Sequence, residues 1–174
     1  TEHAARVAAS GQGIRIVIAR LFNLTGPGLQ DRHLCAVLAR QVAMIQLGLA
    51  APQIRVGPLG ATRDFIDVRD AARALLILSN APAGIYNVGS GKPVSVNELV
   101  RLLGSPPTVN IPKRPGEPDC TWADISKIRK ELGWEPKVSF ADGVRVMRDN
   151  IDYWRDAPVW TASRIAEATS DWFR

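Results

Sequence analysis

Two cysteines in 174 residues, Cys35 and Cys120, are too few and too far apart for a disulfide framework. They show neither Cys-x-x-Cys nor Cys/His spacing, which excludes a structural metal site; a reduced pair in a cytoplasmic protein is the expectation. No apolar run approaches the roughly 20 residues that span a bilayer. With 46% hydrophobic residues and a mean hydropathy of −0.04, the chain reads as soluble and globular, long enough for an adequate core and without a membrane partner. Repeats and low-complexity segments are absent. The net charge of +5 favours anionic ligands. The basic residues are scattered, however, with no aromatic-basic stripe, so nucleic acid is not expected. There is no starting Met and no signal-peptide layout, and Thr1-Glu2-His3 opens inside a helical pattern, which suggests missing upstream residues.

What is present alternates in period. Residues 2–10 are Ala-rich and end at Gly11-Gln12-Gly13, a helix tail with glycine stops. Residues 14–19 are β-branched and almost continuously apolar, as expected of a parallel strand covered on both faces. A helix, a glycine turn and a buried strand make half of a βαβ unit, so the fold class is α/β. Open α/β sheets bind ligands beyond the carboxyl ends of their strands, which directs attention to residues 20–28. There Asn23 is either a ligand contact pre-set by the Gly-Pro-Gly turn or an Asx-type turn residue. Leu34, Leu38, Val42, Ile45 and Leu49 predict a helix over 30–48, of about four or five turns. His33 and Leu34 stand at its start, where free amides favour an anion; a histidine there is more often a surface helix-start residue than a ligand.

Residues 54–57 form a short strand ending in glycine. In residues 62–73, extended patterning gives way to helical patterning. Phe65, Ile66 and Val68 suit a buried strand, and Val68, Ala71, Ala72, Leu75 and Leu76 predict the buried stripe of the next helix. Asp67 is placed to cap it. Arg63 is open to two readings: an ion pair with Asp64 or Asp67, or a paired N–H contact to a phosphate. A strand over 85–91 ends in a glycine turn that lacks G-x-G-x-x-G spacing. Ser95 and Glu98 form a capping box. An edge strand lies at 106–112, bracketed by prolines, and the loop after it holds Lys113 and Arg114, a solvated tip or a phosphate clamp. A short helix over 124–132 has Asp124 as cap and Gly133 as stop. Ser139 and Asp142 cap a further helix, with Val144, Met147, Ile151 and Trp154 on one face. Residues 160–174 read as a terminal helix in which Trp160 and Trp172 supply core or a docking stripe.

Four segments together resemble one family: Arg20-Leu21-Phe22-Asn23-Leu24-Thr25-Gly26-Pro27-Gly28, Arg63-Asp64-Phe65-Ile66-Asp67-Val68-Arg69-Asp70, Arg114-Pro115-Gly116-Glu117, and the run from Asp124 to Pro136 containing Leu132-Gly133-Trp134. They are similar to signatures of the extended short-chain dehydrogenase/reductases that act on nucleotide sugars, the NAD-dependent epimerase/dehydratase family. Residues 54–57 and 63–70 look most like the GDP-4-keto-6-deoxymannose reductases within it. The resemblance implies the C-terminal part of a Rossmann-type enzyme. Residues 1–28 would end the dinucleotide domain, 29–156 would form the nucleotide-sugar lobe, and 157–174 a helical extension.

The resemblance also implies roles. Arg63 and Arg114 would meet the diphosphate of the nucleotide sugar and Asn23 the sugar phosphate. The backbone at His33 and Leu34 would reach the phosphates, residues 54–57 would border the base, and Glu117 would meet a ribose or sugar hydroxyl. Leu21 and Phe22 would lie near the nicotinamide of NAD(P), and the full-length protein is expected to dimerise. Yet the Tyr-x-x-x-Lys pair of the family is missing, since neither Tyr86 nor Tyr153 has Lys four residues on. The Gly-rich pyrophosphate loop is missing too. The expectation is therefore an NAD(P)-dependent enzyme acting at C4 of a nucleotide-linked hexose, by reduction, epimerisation or dehydration, of which this chain alone is inactive. The alternative is a non-catalytic nucleotide-sugar-binding module. Base, hexose and the choice of NAD or NADP are open.

Overall fold

A computed structural model describes residues 2–12, 14–30, 33–113, 115–150 and 152. The order begins α1 (Glu2–Gln12), β1 (Val17–Leu21), β2 (Asn23–Thr25), α2 (Leu34–Gln46), β3 (Ile54–Val56), β4 (Thr62–Asp67) and α3 (Val68–Leu78). It continues β5 (Gly84–Val88), β6 (Pro93–Ser95), α4 (Val96–Leu102), β7 (Thr108–Asn110), β8 (Cys120–Thr121), α5 (Ser126–Leu132) and α6 (Phe140–Asp149). This is an α/β fold with mostly parallel strands, as the patterning predicts. Arg114, Tyr153, Trp154, Trp160, Trp172 and the proposed extension 157–174 lie outside the described residues, as does Ile151.

β4 organises the fold. Its second half pairs in parallel with β2, Asn23 facing Phe65. Its first half pairs antiparallel with β6 and parallel with β8. Side chains alternate across a strand, so Phe65 and Ile66 enter different cores. Phe65 stacks on Phe140 at 4.8 Å between ring centroids and joins the buried side chains of α2, β3, α4 and α6. Ile66 joins Ala74, Leu78, Tyr86, Val88, Ile128 and Trp134. β1 and β5 pair in parallel from Val17↔Gly84 to Leu21↔Val88, and the Phe22 N–H donates to the Val88 carbonyl (3.0 Å) where the chain passes from β1 to β2. β3 and β7 form a separate parallel pair.

The caps follow the sequence. Asp67 accepts from the Arg69 N–H (2.9 Å), Ser95 from Glu98 (3.1 Å) and Ser139 from Asp142 (3.1 Å). Two residues ahead of the observed helix, Asp124 accepts from the Ser126 N–H (2.9 Å); the N-cap position is Ile125 rather than Asp124. Gly133 ends α5 at φ 62°, in the left-handed region that favours glycine.

Two expectations are corrected. The buried stripe of α3 is Asp70, Ala71, Ala74 and Leu78, whereas Leu75 and Leu76 are 47% and 73% exposed. The cause is Asp70, whose carboxylate accepts from the N–H groups of Lys137 (2.9 Å) and Val138 (2.8 Å). That pair fixes the rotation of the helix, and positions one and two turns on from Asp70 follow it inward. The described residues do not cover β1 on both faces: within them Val17, Ile18 and Ala19 are half-buried and Arg20 and Leu21 exposed. Among the described residues β1 has one strand neighbour, β5. No described helix is long and apolar enough to cross a membrane.

Candidate functional site

Arg63 and Asp64 are consecutive in β4 and therefore point to opposite faces. Asp64 is fully buried and accepts three backbone N–H groups, from Ser90 (2.6 Å), Gly91 (2.9 Å) and Ala123 (3.0 Å). Gly89 permits this convergence, because a Cβ there would fall 2.5 Å from the Ala123 Cβ and 3.0 Å from Asp64 Oδ2. Asp67 is occupied by Arg69, whose Nε and Nη2 donate at 2.8 and 3.0 Å. Neither carboxylate pairs with Arg63, so the expected local ion pair does not form.

Arg63 instead reaches across the loop that follows β7. Its Nη2 donates to Glu117 Oε1 (3.0 Å) and its Nη1 to the carbonyls of Thr62 (2.8 Å) and Asp119 (3.3 Å). No described residue accepts from its Nε. The residue is 9% exposed, an unusual degree of burial for a guanidinium, and it is held by one carboxylate and two carbonyls. Lys113 pairs with Asp119 and straps the same loop, holding the Asp119 carboxyl below its ordinary range. Of the two loop cations read as tip or clamp, Lys113 is thus committed within the loop.

Arg63 and Glu117 form part of the wall of a cavity of about 300 Å³. α2 contributes Leu34, Val37 and Leu38; β3 and its following turn contribute Arg55, Val56, Gly57 and Pro58; Ile111 and Pro112 close the side beside β7. His33 stands at the N-cap of α2 in extended conformation, with no side-chain bond to the first turn. Leu34, the first residue of that helix, borders the same space as Arg63, which brings the positive end of the helix to the cavity. The arrangement can bind an anion with an apolar neighbour: charge from Arg63 and the helix start, aliphatic walls from α2, β3 and residues 111–112.

The sequence-predicted residues divide around this cavity. Leu34, Arg63 and Glu117 line it together. His33 precedes Leu34 but is not among the lining residues. Asn23 is neither an Asx turn nor in the cavity wall: its Nδ2 donates to the Asp64 carbonyl (3.2 Å), across the β2–β4 pairing. Leu21 is exposed at the carboxyl end of β1, and Phe22 packs on the core around Tyr86 and Trp134. The described residues supply no glycine-rich loop to hold a dinucleotide pyrophosphate, so they fit such a cofactor only in part. The Tyr86 hydroxyl donates to Glu131 (2.9 Å) and lies near the Pro82 carbonyl (3.3 Å). Its pKa is raised by burial and by Glu131, so it is a core residue. No described cluster could hold a metal ion.

Sequence reasoning missed the side chain of Arg55, although its place between Ile54 and Val56 in a two-residue alternation was a usable signal. It also missed Glu117 as the partner of Arg63, 54 residues away, for which the sequence carries no signal.

The family model described as GDP-mannose 4,6 dehydratase matches residues 1–147. The GDP-6-deoxy-D-mannose reductase of Pseudomonas aeruginosa is 33% identical over 145 residues, which cover 78% of the chain and 48% of that relative. Among solved structures, RMD from Pseudomonas aeruginosa complexed with NADPH matches with a TM-score of 0.79 and 28% identity, over 87% of the chain and 53% of its own length. The UDP-glucose 4-epimerase of Thermotoga maritima with UDP-glucose matches with a TM-score of 0.76 and 25% identity, over 88% and 50%. The chain spans about half the length of the curated relatives it matches.

Proposed function

The chain belongs to the NAD-dependent epimerase/dehydratase family, the extended short-chain dehydrogenase/reductases, and from that premise we propose that it is the nucleotide-sugar-binding part of an NAD(P)-dependent enzyme acting at C4 of a nucleotide-linked hexose, of the 4-keto-6-deoxyhexose reductase type. Residues 1–28 end the dinucleotide domain and residues 29–156 form the sugar-nucleotide lobe. In this reading the diphosphate lies between Arg63 and the first turn of α2. The observation that carries it is the buried Arg63 guanidinium in the wall of a mainly aliphatic cavity, beside the start of α2, where the N-cap residue His33 makes no side-chain bond to the first turn. Glu117 keeps the guanidinium oriented until a diphosphate takes over the exposed N–H groups; Arg63 can present Nε and Nη2 side by side to two phosphate oxygens. Arg114 joins from the same loop and Glu117, once released, meets a sugar or ribose hydroxyl. Asn23, tied to the Asp64 carbonyl by one Nδ2–H, would donate its second N–H to the sugar phosphate. Leu21 and Phe22 give the nicotinamide an apolar neighbour. Fixing the diphosphate away from the reacting carbon converts binding energy into orientation at C4.

Calorimetry of the intact protein against GDP-, UDP-, CDP- and dTDP-linked hexoses tests this. The expected result is binding to at least one, weakened about tenfold or more by Arg63→Ala, with NADPH consumed on a 4-keto-6-deoxyhexose substrate. Binding to none defeats the reading. Epimerisation or dehydration would show as a different sugar product by NMR. A second reading is a non-catalytic module that binds a nucleotide sugar. Binding without any turnover of cofactor or sugar by the intact protein decides for it.

A further inference from the structure

β3 is three residues long and, among the described residues, has one strand neighbour, β7. The ladder between them uses alternate residues: the Ile54 N–H donates to the Pro107 carbonyl and the Ile111 N–H to the Val56 carbonyl, both at 2.8 Å. Successive residues of a strand aim their N–H and C=O at opposite edges, so the Arg55 peptide groups face away from β7. The half-buried side chain of Gln41, on α2, meets them there. Its Oε1 accepts from the Arg55 N–H (2.7 Å) and its Nε2 donates to the Arg55 carbonyl (3.1 Å). One carboxamide thus stands in for a residue of a third strand and satisfies both groups of an edge that would otherwise be open. The clamp joins two walls of the cavity. Leu34, Val37 and Leu38 line it from α2, and Arg55 and Val56 from β3. Gln41 is not itself a lining residue; it follows Leu34, Val37 and Leu38 at the next helical spacing, roughly 10 Å along the axis from Leu34.

Resting on the nucleotide-sugar reading above, we propose that Gln41 is a positioning residue for that site: its carboxamide fixes the separation of the α2 and β3 walls and so holds open the space that the ligand fills beyond its diphosphate. Gln41 touches no ligand in this role and acts through the Arg55 backbone. The diphosphate end does not depend on it, because the Arg63 guanidinium is braced by Thr62, Glu117 and Asp119, in other segments of the chain. Two hydrogen bonds across a half-exposed contact are a modest share of the stability of a domain. A wall that shifts by a fraction of an ångström nevertheless loses contact with whatever was packed against it. Loss of the clamp therefore acts on the whole ligand and spares its diphosphate.

The test is calorimetric titration of the intact protein with GDP-, UDP-, CDP- and dTDP-linked hexoses and with inorganic pyrophosphate. The wild type is compared with Gln41→Met, Arg63→Ala and Ser139→Ala, with a melting curve for each. Gln41→Met keeps the length of the side chain and loses both hydrogen bonds. Ser139→Ala removes the cap of α6, which does not line the cavity, and controls for a loss of stability alone. Gln41→Met should weaken the nucleotide sugars that the wild type binds about three- to tenfold and move pyrophosphate by less than about twofold. Hydrogen exchange at the Arg55 amide should quicken in the same variant. Arg63→Ala should weaken both kinds of ligand, and Ser139→Ala should lower the melting midpoint and neither affinity. Equal loss of nucleotide sugar and pyrophosphate in Gln41→Met, or a loss that Ser139→Ala reproduces, would make Gln41 a general support of the fold. Unchanged affinity or unchanged exchange would make the clamp dispensable. Each of these results overturns the proposal while nucleotide-sugar binding stands. A wild type that binds none of the nucleotide sugars overturns both.

Discussion

The two faces of β4 carry opposite charges to opposite ends. On one face the Asp64 carboxylate is saturated by three backbone N–H groups from two distant segments. On the other, Arg63 is almost as deeply buried, yet it opens on a cavity and one of its bonds is to a carboxylate that a ligand can replace. Both are charged residues in the interior, and burial alone does not separate them. Satisfaction does. A buried polar group whose partners are all backbone is part of the fold, whereas one with spare donors facing a cavity is ready for something else. Asp70 stands nearer Asp64: two of its donors are the Lys137 and Val138 amides, with Arg73 as a side-chain partner, and it does not line the cavity.

The largest effect should come from emptying the saturated face. Asp64→Ala leaves three backbone N–H groups without an acceptor in a site that excludes water. The expected cost is about 3 kcal/mol or more, a large fraction of the roughly 5–15 kcal/mol that holds a domain together. Urea unfolding monitored by circular dichroism measures it, and a variant that melts like the wild type would mean that water or a backbone shift replaces the carboxylate. Gly89→Ala attacks the same junction by volume. Its Cβ would fall 2.5 Å from the Ala123 Cβ, and the forced separation should cost about 1–3 kcal/mol. Asp64→Ala and Gly89→Ala share one site, so the double variant should be less destabilised than the sum of the two.

Arg63→Ala is the sharpest test of the contrast, because its stability cost should be smaller than that of Asp64→Ala while its effect on nucleotide-sugar affinity is about tenfold or more. The Glu117 side chain is 26% exposed, so its carboxylate stays hydrated when Arg63 is removed, which limits the folding penalty. Parallel melts and titrations decide it: equal losses of stability and affinity would place Arg63 with Asp64 as a structural group.

What the sequence disclosed about these faces depended on range. Asp67, Ser95, Ser139 and Gly133 act within a turn of their own position, and their residue types announced the role. The strand at 54–56 and the edge strand at 108–110 were legible from composition, though not their pairing with each other. The phase of α3 was misread because apolar spacing alone favoured Leu75 and Leu76, whereas a carboxylate bonded to amides 67 and 68 residues away turned Asp70 inward. Arg63 was singled out as a candidate, but its partner was sought among sequence neighbours. A guanidinium can choose any acceptor the fold brings near, and no periodicity records that choice. β1 was read as doubly covered from its β-branched run, a pattern that reports the need for cover and not its source.

The smallest effect concerns carboxylates on neither face of β4. The carboxyl of Glu98 is held below its ordinary range chiefly by its bonds to Arg101, that of Asp142 by Ser139 and Arg145, and that of Asp124 by the Ser126 amide. Each folded pKa lies below the unfolded one, so each contribution to stability is complete above the ordinary carboxylate range and fades as pH falls through the depressed value. All three groups are open to solvent, where screening keeps such contributions small. Urea midpoints measured between pH 7 and pH 3 should therefore be level down to about pH 5 and then decline gently. Asp142→Asn should remove part of that decline while leaving the neutral-pH midpoint only slightly lower, since the capping N–H of residue 142 to Ser139 survives the change. The same slope in wild type and variant would mean that the acid sensitivity originates elsewhere, and a steeper slope in the variant would reverse the sign assigned to Asp142.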